Sequence, residues 1–460
     1  MIFNSLSEQK PSFYNQELWQ RLLKNYRISE PEAVAFLLQN FSNGEIKEMA
    51  SEMAISLIGN VRLQKPKVTS IEHFLQTHKL SSQEGLAMMC LAEALLRIPD
   101  SSTKNKFIRD KVIQGDWEND KDHPWVTKLT NLGLITSGKI LGAGLTGSAL
   151  SPLTGLVRRF GGPVVRTIMI QAVKIMGQQF VMGETIEKAL KRSAEDTPKG
   201  YRHSFDMLGE AAKTQADADR YFSLYKMALE VIGESAKDND DFESKPSLSI
   251  KLSAIHPRYE VAKRERVMKE MTPRLLELAQ MAKEYNIALT VDAEETERLC
   301  LSLEIFHEVF THESLKGYHG LGLAVQAYQK RAPFVIDWLI NLAKSEKRRI
   351  SIRLVKGAYW DSEIKKNQVL GLEDYPVYTR RHHTDLSYMV CARKMIEAGE
   401  FIFPQFATHN AYALSSIYRL AQNLGIENYE FQRLHGMGEP LYNSFFEMTE
   451  NKVPCRIYAP

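Results

Sequence analysis

From Arg202 onward the chain alternates between short β-like runs and segments with helical spacing. The runs are SFDML (204–208), LSIKL (248–252), ALTVD (288–292), LGLAVQ (321–326), ISIRLV (350–355), PQFAT (404–408), YEFQRL (429–434) and CRIYA (455–459). Parallel strands need long crossover connections, and a helix is the usual one. Eight such units predict an α/β fold, a (β/α)8 TIM-like barrel, rather than an open Rossmann sheet. No GxGxxG lies between the first strand and helix of this region and no GxxxxGK[ST] occurs, so a nucleotide cofactor has to bind at the barrel mouth.

Barrel strands normally read as near-continuous apolar runs, because helices cover the outside and side chains fill the inside. These strands do not. Lys251 shares a face with Ser249, Asp292 with Thr290, Gln326 with Gly322 and Ala324, and Arg353 with Ser351 and Val355, while Leu, Ile and Val take the other face. All four polar residues stand towards the C-terminal ends of their strands, where barrel enzymes place their chemistry. One inward charge reads as a structural ion pair. Four on separate strands read as a functional pocket.

Two strand-to-helix junctions add candidates. In RLVKGAYWDSEI, Lys356 and Gly357 leave the strand, and Tyr359 and Trp360 offer flat surfaces beside charge. This suits a large planar cofactor; a loop capped by core aromatics is the alternative. In FATHNAYAL, Thr408, His409 and Asn410 stand where a helix begins, and free N–H groups there favour phosphate. No metal is expected, since His409 lacks a partner at ligand spacing and His382 and His383 are adjacent on a helix.

Ahead of the barrel, ELWQRLLKNY, EAVAFLLQNF and GLAMMCLAEALLRI carry apolar residues at three- and four-residue spacings. The expected organisation is a helical arm (1–131), a Gly-rich helical linker domain (132–183) and the barrel (184–460). Lys139, Arg158, Arg159, Arg166 and Lys174 break every long apolar run of the linker, which argues against a transmembrane helix. Interdomain helices and an interfacial helix both fit it. The run from Glu234 to Lys245, ESAKDNDDFESK, reads as a solvated loop.

With 59 Lys and Arg against 56 Asp and Glu, the charge makes no case for nucleic acid. Cys90, Cys300, Cys391 and Cys455 form no disulfide-like pattern, and MIFNSLSEQK is not a signal peptide, so a reducing cytoplasm is expected.

In order, LSIKLSAIHPRY, LTVDAEE, AVQAYQKR, RLVKGAYWDSEIK, YPVYTRR, PQFATHN and FQRLHGMGEPLY resemble the proline dehydrogenase domain of bacterial proline utilization A. The resemblance implies an FAD enzyme that oxidises L-proline to Δ1-pyrroline-5-carboxylate. Hydride would pass to flavin N5 and electrons to a membrane quinone, the first step of proline catabolism to glutamate. It implies that Lys251 meets the substrate carboxylate, with Asp292 beside it and Tyr359, Leu434 and Tyr458 around the proline ring. Arg353 would stand at the flavin near N5, completing with Lys251 and Asp292 the catalytic set. Gln326, Val355, Lys356, Gly357, Ala358, Trp360, Thr379, Thr408, His409, Asn410 and Gln432 would hold the rest of FAD.

Some relatives begin with a ribbon-helix-helix segment, not found here, so no nucleic acid is expected. The family continues past the eighth strand into a helix with an Arg-Arg pair, so this chain is expected to lack the final barrel helix and to be part of a longer, bifunctional one with an aldehyde dehydrogenase domain. The expected setting is cytoplasmic, with transient peripheral contact at the inner membrane face. Two alternatives stay open: a non-catalytic scaffold binding a partner or membrane, and a lyase using Lys251 as a Schiff base.

Overall fold

A computed structural model describes residues 15–41, 44, 46–64, 103, 162–207, 211–450 and 453–460. Eight parallel strands form a closed barrel in chain order: β1 (Tyr201–Asp206), β2 (Ser247–Ile250), β3 (Leu289–Val291), β4 (Leu321–Gln326), β5 (Ile350–Val355), β6 (Ile402–Ala407), β7 (Glu430–Leu434) and β8 (Cys455–Ala459). The barrel closes where Tyr201 through Phe205 pair with Cys455 through Ala459, so CRIYA is the last stave. β1 starts at Tyr201 rather than at the expected 204, because its Tyr201, His203 and Phe205 are buried and in register with β8; residues 208–210 lie outside the described ones.

The alternation that the sequence announces becomes two faces. Ile350, Ile352 and Leu354 of β5 are fully buried on its outer side, beneath helices. The inner side is polar. Arg353 of β5 reaches across the barrel to Ser204 of β1 and Ser249 of β2, at 3.1 and 2.8 Å. Below it, Gln405, Glu430, Gln432 and Arg456 are buried and bonded to one another. Hydrogen bonds thus replace the branched apolar layers that usually fill such a barrel.

Residues 1–63 and 183–460 form one compact unit. In it, helix α1 (Gln16–Lys24) is capped by Asn15, whose side chain accepts the Leu18 N–H, and α2 (Glu30–Gln39) is capped by Ser29, with Pro31 in its first turn. α2 buries Ala33 and Leu37 against Tyr378 and Val390, and its Phe36 ring lies 4.8 Å from that of Phe334. α1 sets Trp19 against Trp338 at 5.7 Å. Helix α3 (Lys47–Leu63) packs on the helices Ala411–Asn423 and Glu439–Thr449. An arm of three amphipathic helices therefore lies along the barrel's outer helices.

Residues 64–182 form a second unit, of which the helix Gly162–Phe180 is described. Most of the Gly-rich segment and the run GLAMMCLAEALLRI lie outside the described residues. Among the described residues, no helix is long and apolar enough to cross a membrane.

The expectation of a wholly solvated loop from Glu234 to Lys245 needs correction. Its end is structural: Glu243 bonds Arg349 at 2.7 Å, and Lys245 is buried with its carbonyl accepting from Arg456. A charged run reads as solvated only until a barrel strand anchors it.

Candidate active site

At the C-terminal ends of the strands lies a cavity of about 520 Å³. Its floor is an ionic cluster. β2 ends at Ile250, and the extended backbone of Lys251 then starts a short helix, which lifts the lysine to the mouth. Its Nζ lies 3.0 and 3.1 Å from the two carboxylate oxygens of Asp206, 3.2 Å from Asp292 Oδ2 and 3.4 Å from the Tyr458 hydroxyl. Asp292, one residue beyond β3, accepts on its other oxygen from Arg353 Nη1 at 2.7 Å. Tyr458 donates to Asp292 Oδ2 at 2.6 Å, and the Arg353 guanidinium lies 4.8 Å from the centre of the Tyr458 ring.

Two cations thus meet two carboxylates, and the cluster is neutral as a whole. Burial, and then the charges of Asp292 and Asp206, push the Tyr458 phenol well above its ordinary value, so it stays a donor. Tyr359 is likewise raised to about 12, mainly by burial.

The cavity walls contain most of the expected residues. Gln326, Arg353, Val355, Lys356, Gly357, Ala358, Tyr359, Thr408, His409, Asn410, Gln432, Leu434 and Tyr458 line it with Lys251 and Asp292. Gly357 has φ +137°, and a Cβ there would stand 2.5 Å from the Tyr328 ring. Asn410 caps the helix Ala411–Asn423 by accepting the Ala413 N–H at 2.9 Å, and the Asn410 N–H donates to Thr408 Oγ1. His409 Nε2 accepts the Leu434 N–H at 3.1 Å, which leaves the ring proton to Nδ1; burial, and then Arg433, lower its pKa and keep it neutral. Lys356 pairs with Asp385.

Two expected residues stand elsewhere. Trp360 and Thr379 are not on the cavity wall. The Trp360 indole donates to the Tyr378 carbonyl at 2.8 Å, and Thr379 is held by the arm: its N–H and hydroxyl both donate to the Glu30 carboxylate, the hydroxyl at 2.7 Å. Sequence reasoning missed Asp206, Ser204 and Ser249 as partners of the cluster. Asp206 shares a face with Ser204 and closes its strand as Asp292 follows β3, a pattern that shows only once the strand starts at Tyr201. Ala293, Arg381, Ala407 and Arg433, none of them singled out, complete the lining with Ala324 of β4.

The donor set fits a flavin. Gln326 is buried, its Nε2 donates to the Glu294 carbonyl at 3.0 Å, and its Oε1 has no partner among the described residues. A buried amide oxygen left open on a cavity wall calls for an N–H from a ligand. Arg353, Lys356 and the capped helix start supply positive potential for an electron-rich ring and a phosphate. Among the described residues, no group of three or more His, Cys, Asp and Glu could hold a metal ion.

A family model described as proline dehydrogenase matches residues 189–460, the whole barrel with its cluster. The chain belongs to the proline dehydrogenase family. A second model, described as the DNA-binding domain of proline dehydrogenase, matches residues 70–180. Bifunctional protein PutA of Escherichia coli K12 is 46% identical over 445 residues, which cover 95% of this chain and 34% of that protein. The PutA of Rhizobium meliloti is 44% identical over 439 residues, with 95% and 35% covered. A crystal structure of a mutant Bradyrhizobium japonicum Proline Utilization A superposes with a TM-score of 0.72 at 43% identity, covering 98% of this chain and 44% of that one. The chain spans about a third of the length of these curated PutA relatives.

Proposed function

We propose that this chain oxidises L-proline to Δ1-pyrroline-5-carboxylate with FAD as its cofactor. The neutral cluster of Lys251, Arg353, Asp206 and Asp292 beneath the cavity carries the reading. Proline at neutral pH is a zwitterion, and its carboxylate matches Lys251, the one cation of the cluster that reaches the mouth from β2. Asp292, held by Tyr458 and Arg353, stands beside that carboxylate site, and Tyr359 and Leu434 offer apolar surface to the ring. Bound FAD supplies the two-electron acceptor for the hydride that leaves the proline carbon beside nitrogen.

Arg353 is fixed by four hydrogen bonds, to Ser204 of β1, Ser249 of β2, Asp292 after β3 and Gln432 of β7, so it offers a preorganised cation at the cavity floor. Loss of the ammonium proton falls to water at the mouth. Lys251 is engaged with two carboxylates, which is the geometry of a positioned cation rather than of an amine poised to attack a carbonyl. The finer parts of the proposal are a membrane quinone as acceptor, cytoplasmic location with peripheral contact at the inner membrane face, and partnership with an aldehyde dehydrogenase domain in a longer chain. We retain the division at 1–131, 132–183 and 184–460 and the absence of a nucleic-acid partner, supported by the near-balanced charge. The family description of residues 70–180 as DNA-binding speaks for the opposite, and a gel-shift titration with duplex DNA decides between them.

The test is cofactor retention. Purified chain incubated with FAD should keep the visible flavin spectrum through gel filtration, and L-proline should perturb it at saturating concentration. A chain that takes up no FAD overturns the proposal.

A further inference from the structure

We infer that Glu430 is a positioning residue for Arg353, acting through the side-chain amide of Gln432. The inference rests on the reading of the cavity as a flavin and proline site. Glu430 is fully buried at the start of β7 and does not line the cavity. Its Oε1 accepts from Arg456 Nε at 2.7 Å, Gln405 Nε2 at 2.8 Å and Gln432 Nε2 at 2.9 Å, and Arg202 reaches its Oε2 at 3.4 Å. Burial alone would raise its pKa, but Arg456, Arg202 and the Gln432 amide reverse this, so it remains a carboxylate.

A carboxylate can only accept, and a guanidinium can only donate. Gln432 stands between the two. Its NH2 is claimed by Glu430, so its carbonyl oxygen must face the other way, where it accepts from Arg353 Nε at 2.7 Å. The amide orientation is therefore dictated from below. With Asp292 on Nη1 and Ser204 and Ser249 on Nη2, every nitrogen of the Arg353 guanidinium has an acceptor and the group has one orientation. If Glu430 becomes neutral, the Gln432 amide can turn its NH2 upward, donor against donor, and Arg353 loses its Nε acceptor.

Glu430→Gln in the flavin-loaded chain tests this, with Gln405→Leu as the control, since Gln405 also donates to Glu430 and, although it pairs beside Arg353 across β5 and β6, is not among the hydrogen-bond acceptors of the guanidinium. In E430Q, the rate of flavin reduction by L-proline should fall about tenfold, the loss expected for one charged hydrogen bond, with proline affinity changed less than about twofold. The flavin midpoint potential should fall with it, by about 30 mV for a tenfold shift of a two-electron equilibrium. In a Gln432→Met background the same E430Q change should have no further effect. If E430Q does not fold, Glu430→Asp, which keeps the charge towards Arg456 but shortens the reach to Gln432, carries the same expectation. An unchanged potential, an equal fall in Q405L, or full additivity with Q432M overturns the inference. A wild-type chain that binds flavin but is not reduced by proline overturns the proposed reaction instead, and the potentials still report on Glu430; a wild type that takes no flavin overturns both.

Discussion

Tyr458, four residues into the last strand, donates its hydroxyl to Asp292, the residue after the third strand, at 2.6 Å. That bond spans the barrel mouth and brings the end of the chain into the cluster that holds Lys251. Because the tyrosine is also 3.4 Å from Lys251 Nζ, it fixes both charges at once.

Tyr458→Phe should therefore weaken proline binding more than turnover. A hydrogen bond to a charged group contributes about 1.5 kcal/mol or more, so KM for proline should rise about tenfold. The ring and its stacking on Arg353 remain, and steady-state kinetics should show kcat within about threefold of the parent.

Lys251→Met should leave Asp206 and Asp292 facing each other without their shared cation. We expect flavin binding to persist and proline-dependent flavin reduction to fall by about 100-fold or more, the loss that follows from removing a buried charge partner. Lys251→Arg keeps the charge and should recover part of it; stopped-flow reduction of flavin measures both.

Gly357→Ala should release flavin. Its φ of +137° is strained for any other residue, and the added methyl meets the Tyr328 ring at 2.5 Å. The loop after β5 must then shift by about an ångström or pay about 1–3 kcal/mol. The absorbance ratio of flavin to protein after purification should fall by about half or more.

The arm should come free in acid. Burial would raise the pKa of Glu30, but hydrogen bonds from His383 and Thr379 outweigh it and lower the pKa below 4.5. A lowered carboxylate stabilises docking above its ordinary value and loses that contribution as pH falls through the folded value. Limited proteolysis should thus cut the arm faster below pH 4.5 than above it. Glu30→Ala should cut about tenfold faster at neutral pH, with the barrel intact.

His203 sets a second acid limit. Burial pushes it down to about 4 from 6.5, so the unfolded chain takes up a proton before the folded one does. Its contribution is complete above pH 6.5 and is lost as pH falls towards 4. The full loss is about 3 kcal/mol. His203→Phe should flatten the dependence of thermal stability on pH over that window.

The barrel was legible because its period changes abruptly after Arg202 and because the outer faces of β2 to β5 are unbroken Leu, Ile and Val. Lys251, Asp292, Gln326 and Arg353 were legible because each interrupts an apolar pattern at a strand's end. Asp206 was not, since its run was placed three residues late, from 204, and the carboxylate then fell inside the strand rather than at its end. Thr379 shows a different limit. Its bond to Glu30 joins positions 349 residues apart, and no local pattern announces such a pair. Glu430, likewise, sits unremarked inside the run YEFQRL, and only closure of the barrel surrounds it with Arg202, Gln405 and Arg456.

The central claim is that this neutral cluster and the cavity above it bind proline against a flavin. Anaerobic addition of L-proline to the FAD-loaded chain tests it most directly. The account predicts bleaching of the flavin with one imine product formed per flavin reduced, and no bleaching in Lys251→Met on the same time scale. A loaded chain that stays yellow with saturating proline, or a K251M variant that bleaches as fast as the parent, would contradict it.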